Sequence, residues 1–353
     1  MPSPTPLSTP DSRFILEARD HNGLYLAQVP YRNLQGETFL RKSHQLRGEI
    51  PFREYLNVLP ATVYPGKHEL WLSDQVTGNV LFAGPMIDGT AGSDTGVINF
   101  SCQCPQAYLA KRFLKTTKTY TAQQGADIMV DLIAYVNSIR STNMTTNKLT
   151  SNATTANATL QASQRYAISD LLADVAGYGD GTDYYFRSAG TTHTLRLYGG
   201  LLDPTIGTRT WEYGGTLKSY SLQINGAPLA NDVDVVGSNG LIGNAQDATS
   251  IANNNALYQD VITGSNLTAQ TDLNNAAALQ LKTSKNVIQV PSIVVKDLYP
   301  MQDFDLGDQF QVVIDDGWAQ FNQNVRIVGW QTTIGAGDNL TTVVYINNLD
   351  EVT

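Results

Sequence analysis

The sequence predicts a mainly β protein with an α+β insert: two small antiparallel β-barrel or sandwich domains flanking a helix-containing domain. Three observations lead there. Period-two alternation of apolar residues dominates both ends of the 353-residue chain. A strong helical repeat interrupts it after residue 121. Asn, Asp and Gly pairs separate the alternating runs at hairpin spacing. A chain of this length exceeds what one core usually organises. The expected division is an extended arm over 1–12, a β-barrel over 13–118, an α+β domain over 119–200 with an exposed Thr/Asn-rich loop, and a second β-barrel with one helix over 201–353. Residues 201–237 can equally return to the first barrel.

Taken in order, MPSPTPLSTPD carries four prolines in ten residues, which makes a stiff, extended arm. It has neither the basic nor the apolar region of a signal peptide, and no stretch reaches the ~20 apolar residues of a membrane span. From Arg13 to Leu114 the pattern is dense β. FILEARD and GLYLAQV flank the turn His21-Asn22-Gly23, and LRGEIPF, HELWLSD, NVLFAGPMI and VINFSCQC follow, with a hairpin turn inside Asp74–Asn79. Cys102 and Cys104 are two apart on one strand, too parallel to bridge each other, and no His or further Cys completes a metal set. They read as buried thiols.

Thr121 with Gln124 forms a capping-box pattern. Ile128, Leu132 and Val136, with Met129 and Ile133, then mark an amphipathic helix to about Arg140. Ser141–Ala162 is rich in Thr and Asn and lacks apolar periodicity, so it reads as an exposed loop. A short helix over Tyr166–Ala176 buries Ile168, Leu171, Leu172 and Val175, with Gly177 as a left-handed stop. Strands over Asp183–Arg187 and Thr194–Tyr198 close this unit. RTWEYGG, LKSYSLQIN and NDVDVVG are strands, with a turn at Asn225-Gly226. Ser238–Asn255 is weakly patterned, and Thr268 caps a helix carrying Leu273, Ala276, Ala277 and Leu281. After NVIQV and SIVVKDL comes a meander over Asp297–Asn348. Its faces are Phe310, Val312 and Ile314; Val328, Trp330 and Ile334; and Leu340, Val344 and Ile346. Its turns are Asp315-Asp316-Gly317 and Gly335–Asp338.

Charge narrows the function. Residues 1–120 hold 12 Lys and Arg against 10 Asp and Glu, and the remainder 11 against 22, for a net charge of −9. An acidic majority argues against a nucleic-acid reader, which needs clustered cations. It suits a surface that nucleic acid passes without sticking. Hydrolase, zincin, P-loop and dinucleotide motifs are absent, and His21, His44, His68 and His193 are scattered, so no enzyme and no cofactor are expected. Asp180 and Asp183, and Asp303, Asp305 and Asp308, are candidate calcium ligands by chemistry. They lack the spacing of a calcium loop, and turn formation is the favoured explanation of both clusters. Tyr178, Tyr184, Tyr185, Phe186 and Tyr198 form an aromatic group that can serve a partner interface or stack on sugars, or pack as core.

The order of these elements carries a resemblance. YPGKHELWLSDQVTGNVLFAGPMI, the capped helix, YAISDLLADVAGYGDGTDYYFRSAGTTHTLRLYGG, NDVDVVG, and a helix before LGDQFQVVIDDG and NVRIVGWQTTI together resemble tail hub and minor tail proteins of long-tailed bacteriophages, over about residues 13–347. The resemblance implies a hub-like fold and a homotrimeric ring in the virion tail tip. Each chain would contribute two similar barrels, so that a threefold ring offers a near-sixfold face to the tail tube. It implies tube, tape-measure and distal-tip proteins as partners, with DNA met only in passage through the lumen and synthesis in the host bacterial cytoplasm. The chain ends at Thr353 directly after the last strand, so no hydrolase or receptor-binding extension is expected. A carbohydrate- or receptor-binding tail module, a hydrolase with an unrecognised site, and a sixfold distal-tail ring are the competing readings.

Overall fold

The computed structural model describes residues 12–51, 64–92, 96–199, 209–221, 224–225, 229–238, 240–254, 256–264, 266–285, 288–289, 292–317, 320–335 and 339–348. The arm expected over 1–12 falls outside them except for Ser12, as do Gly226, most of the Gly335–Asp338 turn and the expected domain boundary near residue 200.

The first part contains strands β1 (Phe14–Asp20), β2 (Tyr25–Gln28), β3 (Arg32–Phe39), β4 (Gln45–Pro51), β5 (His68–Asp74), β6 (Val80–Gly92) and β7 (Val97–Gln103). Alternation directs Phe14, Leu16 and Ala18 of β1, with Leu34, Leu46, Leu70, Leu72 and Phe100, into one core. β3 is a strand the sequence reading omits, because RNLQGETF carries one large apolar residue before its last position. It forms by pairing with strands on both sides.

Next come α1 (Gln106–Leu109), β8 (Lys118–Gln123), α2 (Gly125–Ile139), β9 (Met144–Thr150), β10 (Ala156–Leu160), α3 (Ile168–Val175), β11 (Thr182–Ala189) and β12 (Thr192–Gly199). Three expectations need correction here. The Ser141–Ala162 loop is two strands, β9 parallel to β12 and β10 antiparallel to β8. Its buried face is made of Met144, Ala156, Ala158 and Leu160, and small alanines do not stand out as a hydrophobic stripe. Thr121 lies in β8 and does not cap α2, whose Ala126 amide is instead met by Asn152 Oδ1 at 3.3 Å. Gly177 is not left-handed. The positive φ after α3 belongs to Gly179, at 63°.

The remaining elements are β13 (Thr210–Glu212), β14 (Leu217–Ser221), β15 (Ile224–Asn225), β16 (Asp232–Gly237), β17 (Ile242–Gln246), α4 (Ala248–Asn254), β18 (Gln259–Gly264), α5 (Gln270–Ser284), β19 (Ile288–Gln289), β20 (Ser292–Val295), β21 (Gln309–Asp315), β22 (Gln320–Ile334) and β23 (Leu340–Asn348). Thr268 is not the cap of α5; Ala269 holds that position and its side chain makes no capping bond. β13 and β14 pair with β21 and β20, so they belong with the closing meander, whose core includes Trp211, Phe310, Val312, Ile327, Trp330 and Val344. Between them, the sheet β17-β16-β18, α5 and the segment joining them contribute Val235, Leu273, Ala277 and Leu267 to the core that holds Leu132, Val136 and Leu172. Val328 leaves the face assigned to it. A bulge between Ile327 and Gly329 puts Ile327 and Trp330 inside together and turns Val328 away.

One sheet runs through both β regions. Its thirteen strands follow the order β14-β20-β23-β22-β3-β4-β7-β6-β5-β1-β2, with β13 and β21 joined at β22. The seam is the antiparallel pair β3–β22, in register from Gly329 opposite Phe39 to Ile334 opposite Leu34. A Cβ on Gly329 would overlap the Phe39 ring, so a larger residue there must push that ring aside. The molecule is thus mostly β with antiparallel sheets, with α+β layers against the paired barrels.

Candidate functional site

The most concentrated chemistry lies where β11 meets both barrels. Strand periodicity explains why. Tyr184 and Phe186 point into the α+β core, while Tyr185, on the opposite face, joins the core of the C-terminal barrel. Asp183 and Arg187 share the Tyr185 face. Asp183 Oδ1 accepts from Arg41 Nε at 2.7 Å, and its Oδ2 accepts from Arg326 Nη2 at 2.5 Å. Arg41 sits in the β3–β4 turn with φ 60°, and Arg326 on β22, so one carboxylate ties three regions together. The Arg41 amide also donates to the Tyr184 carbonyl at 2.9 Å. Arg187 pairs with Asp305 at 2.9 Å.

On the other side of β11, Ser188 and His193 are cross-strand partners, with Oγ and Nδ1 2.7 Å apart. His193 Nε2 reaches Glu69 of β5 at 3.0 and 3.1 Å. Glu69 also accepts from Trp71 Nε1 at 2.8 Å and from the Tyr108 hydroxyl at 2.7 Å. Burial pulls the Glu69 carboxyl upward, but the bonds from His193, Tyr108 and Trp71 outweigh it and hold the pKa below the usual carboxylate value.

Serine, histidine and glutamate in a row resemble a nucleophilic triad, but the geometry is wrong for one. The serine lies on Nδ1 and the acid on Nε2, and the His193 and Glu69 side chains are 0% exposed, which leaves no place for a substrate. A fully partnered carboxylate that joins β5 to β12 and α1 is instead a structural clamp. Sequence reasoning missed it, although the signal exists: Glu69 is a charge inside the run HELWL, as Arg326 is inside VRIVGW. β5 is buried on both faces because Leu70 and Leu72 fill the barrel while Trp71 and Glu69 meet the α+β unit.

The sequence-selected residues can now be placed. Tyr178, Tyr184, Tyr185 and Phe186 are buried and Tyr198 is half-buried, stacked on Tyr185 at 6.2 Å, so the group packs within the chain and is not an exposed partner surface. The physical reason is that β11 is covered on both faces. Among the candidate calcium ligands, Asp180 accepts from Asn152, Ala153 and Thr154 at 2.8–3.0 Å. Asp183 is held by the two arginines. Asp303 accepts the Tyr299 amide, Asp308 the Asp305 amide, and Asp305 the Leu306 amide, each at 2.8 Å. These are turn and junction bonds, and among the described residues no three His, Cys, Asp or Glu side chains gather as a metal set. Burial pushes the carboxyls of Asp305 and Asp308 upward. Cys102 and Cys104 are free and buried. No helix among the described residues is long and apolar enough to cross a membrane.

No protein-family model and no curated protein matches this chain. Solved structures do. The 43 kDa tail protein of prophage MuSo2 from Shewanella oneidensis is similar over 97% of this chain and 98% of its own, with a TM-score of 0.67 at 13% identity. A tail protein from Neisseria meningitidis MC58 is similar over 95% and 96%, with a TM-score of 0.65, also at 13% identity. An Escherichia coli type VI secretion component, described as structurally similar to the T4 bacteriophage tail proteins gp27 and gp5, is similar over 94% of this chain and 76% of its own, with a TM-score of 0.53 at 11% identity. At these identities the likeness is one of fold, and it spans the whole chain: the fold is that of phage tail proteins.

Proposed function

We propose that this protein is a structural, non-enzymatic part of a phage tail, a hub ring at the tail tip that joins the tube or tape measure to distal-tip proteins and surrounds part of the DNA exit channel. The observation that carries the reading is the fold likeness to tail proteins over nearly the full length of both partners. Two barrels side by side on one thirteen-stranded sheet suit a ring in which three chains present six barrels. An exposed edge supports assembly as well. β2 ends the sheet, and Leu24, Tyr25 and Leu26 there are 57%, 59% and 48% exposed, which invites cover by a neighbouring copy. The acidic remainder of the chain suits a lumen that a polyanion must slide through.

The test is assembly mass together with a reconstruction of the tail tip. A homotrimer located below the tube is the expected result. Sixfold symmetry would assign the chain to a distal-tail ring, and a stable monomer that never enters virions would end the proposal.

A further inference from the structure

A second place on the molecule gathers charge of the opposite sign. A cleft of about 350 Å³ opens between the first barrel and the α+β unit. It receives His21 from the β1–β2 turn, Lys67 from the approach to β5, Arg112 from the segment after α1, and Arg140 from the end of α2. Among the described residues no carboxylate lines it. That is unusual in a chain with 32 acidic and 23 basic residues. Lys67, Arg112 and Arg140 make no ion pair among the described residues. The nearby Asp20 carboxylate is engaged by the Asn22 and Leu24 amides at 2.9 Å.

Three cations from three segments, Lys67, Arg112 and Arg140, share this cleft with the His21 imidazole, and an anion between them would offset their mutual repulsion. Shape selects the anion. A carboxylate has two oxygens in one plane, which a single guanidinium fork already satisfies. Two guanidiniums, an ammonium and an imidazole carried by four separate segments supply more donors than a planar carboxylate can use and suit the several oxygens of a phosphate. The volume exceeds that of a bare ion and falls in the range of small-molecule sites, leaving room for the organic part of an ester.

We propose that this cleft binds a phosphate ester. The anion would bridge Lys67 and His21 on the barrel side to Arg112 and Arg140 on the α+β side, over the Tyr108 ring whose hydroxyl already holds Glu69. Binding there clamps the two units in the same sense as the Glu69 clamp beneath it.

The experiment is calorimetric titration of the full chain with inorganic phosphate, glycerol phosphate and a short glycerol-phosphate polymer, with a glutamate oligomer as the carboxylate probe. Saturable binding of at least one phosphate compound is expected, weakening steeply with salt and reduced tenfold or more in the Arg112→Gln, Arg140→Gln double variant. Free phosphate binding as well as the esters would mark the phosphoryl group as the whole determinant; ester or polymer binding alone would add the organic part. The variant should keep or slightly raise the wild-type Tm without ligand, because neither side chain has an ion pair to lose and two like charges are removed. Absence of saturable phosphate binding, unchanged affinity in the variant, or tighter binding of the glutamate oligomer would each overturn the proposal. A Lys67→Gln variant, on the barrel side, gives a second reading should the double variant fold poorly.

Discussion

The two seams that hold this molecule together are built from different materials. Between the barrels, β3 and β22 continue one sheet, and the joint is a ladder of backbone hydrogen bonds with Gly329 lying against the Phe39 ring. Between the barrels and the α+β unit no ladder crosses among the described residues, only single backbone bonds such as Arg41 N–H to the Tyr184 carbonyl. Buried side chains do the joining there, with Asp183 between two arginines and Glu69 among His193, Tyr108 and Trp71. A ladder depends on backbone and tolerates most side chains. A clamp made of charges depends on particular atoms, so single substitutions and protons can open it.

Asp183→Ala gives the largest expected effect. It leaves Arg326, 7% exposed, and Arg41 without their shared acceptor, and a broken buried pair costs roughly 3–5 kcal/mol. The measurement is the urea midpoint of the purified chain. A loss below about 1 kcal/mol would show that the joint does not depend on this carboxylate.

Acid should act on the same side of the molecule. His44, just before β4, is buried, and burial lowers its pKa from 6.5 to about 4 although its Nε2 contacts the Phe39 carbonyl at 2.8 Å. A group whose pKa is depressed on folding contributes stability above its unfolded value and loses it as pH falls through the folded one. His44 therefore loses roughly 3 kcal/mol of stabilisation between pH 6.5 and 4. Glu69, also depressed, adds a further loss below the ordinary carboxylate range. Unfolding midpoints from pH 7 to pH 4 should fall for the wild type and flatten in His44→Leu. Equal slopes in the two proteins would remove His44 from the account.

The ladder seam has one weak point. Gly329→Ala should cost about 1–3 kcal/mol by forcing the Phe39 ring aside. Phe39→Leu in the same chain should recover part of that loss, and a double-mutant cycle reads the coupling. Additive effects would mean the two positions do not meet.

The contrast also explains what could be read before folding. The ladder side was legible. Phe310, Val312 and Ile314 do share a face, and HELWLSD is a strand with the bounds that alternation gives it. Even there the bulge at Ile327–Gly329 displaced Val328, since a bulge is a property of the pair and not of one strand. The clamp side was not legible. Asp183 looked like a turn or calcium residue because its arginine partners lie 142 and 143 positions away. β9 and β10 are hidden because β9 buries only Met144 and the buried face of β10 is two alanines and a leucine, and the aromatic group stays open between partner surface and core because nothing local shows that β11 is covered on both sides.

The smallest expected effect is the most diagnostic, because it holds chemistry constant and varies burial. Arg187–Asp305 repeats the Arg–Asp pairing of Asp183 on the same strand face, but its side chains are 29% and 26% exposed. Arg187→Ala should therefore cost less than about 1 kcal/mol, as partly hydrated pairs do. Asp305 sharpens the point. Burial pushes its carboxyl upward against the pull of Arg187, so the fold disfavours its charged form. A pKa raised on folding contributes stability at low pH that is lost as pH rises through the folded value. Asp305→Asn, which keeps an acceptor for the Leu306 amide, should then be neutral or slightly stabilising at pH 7, with the difference vanishing in acid. The urea midpoint of this variant at pH 7 and pH 4 reads both signs. A loss at pH 7 as large as that of Asp183→Ala would mean that the two pairs are equivalent and that burial is not what separates a clamp from a surface contact.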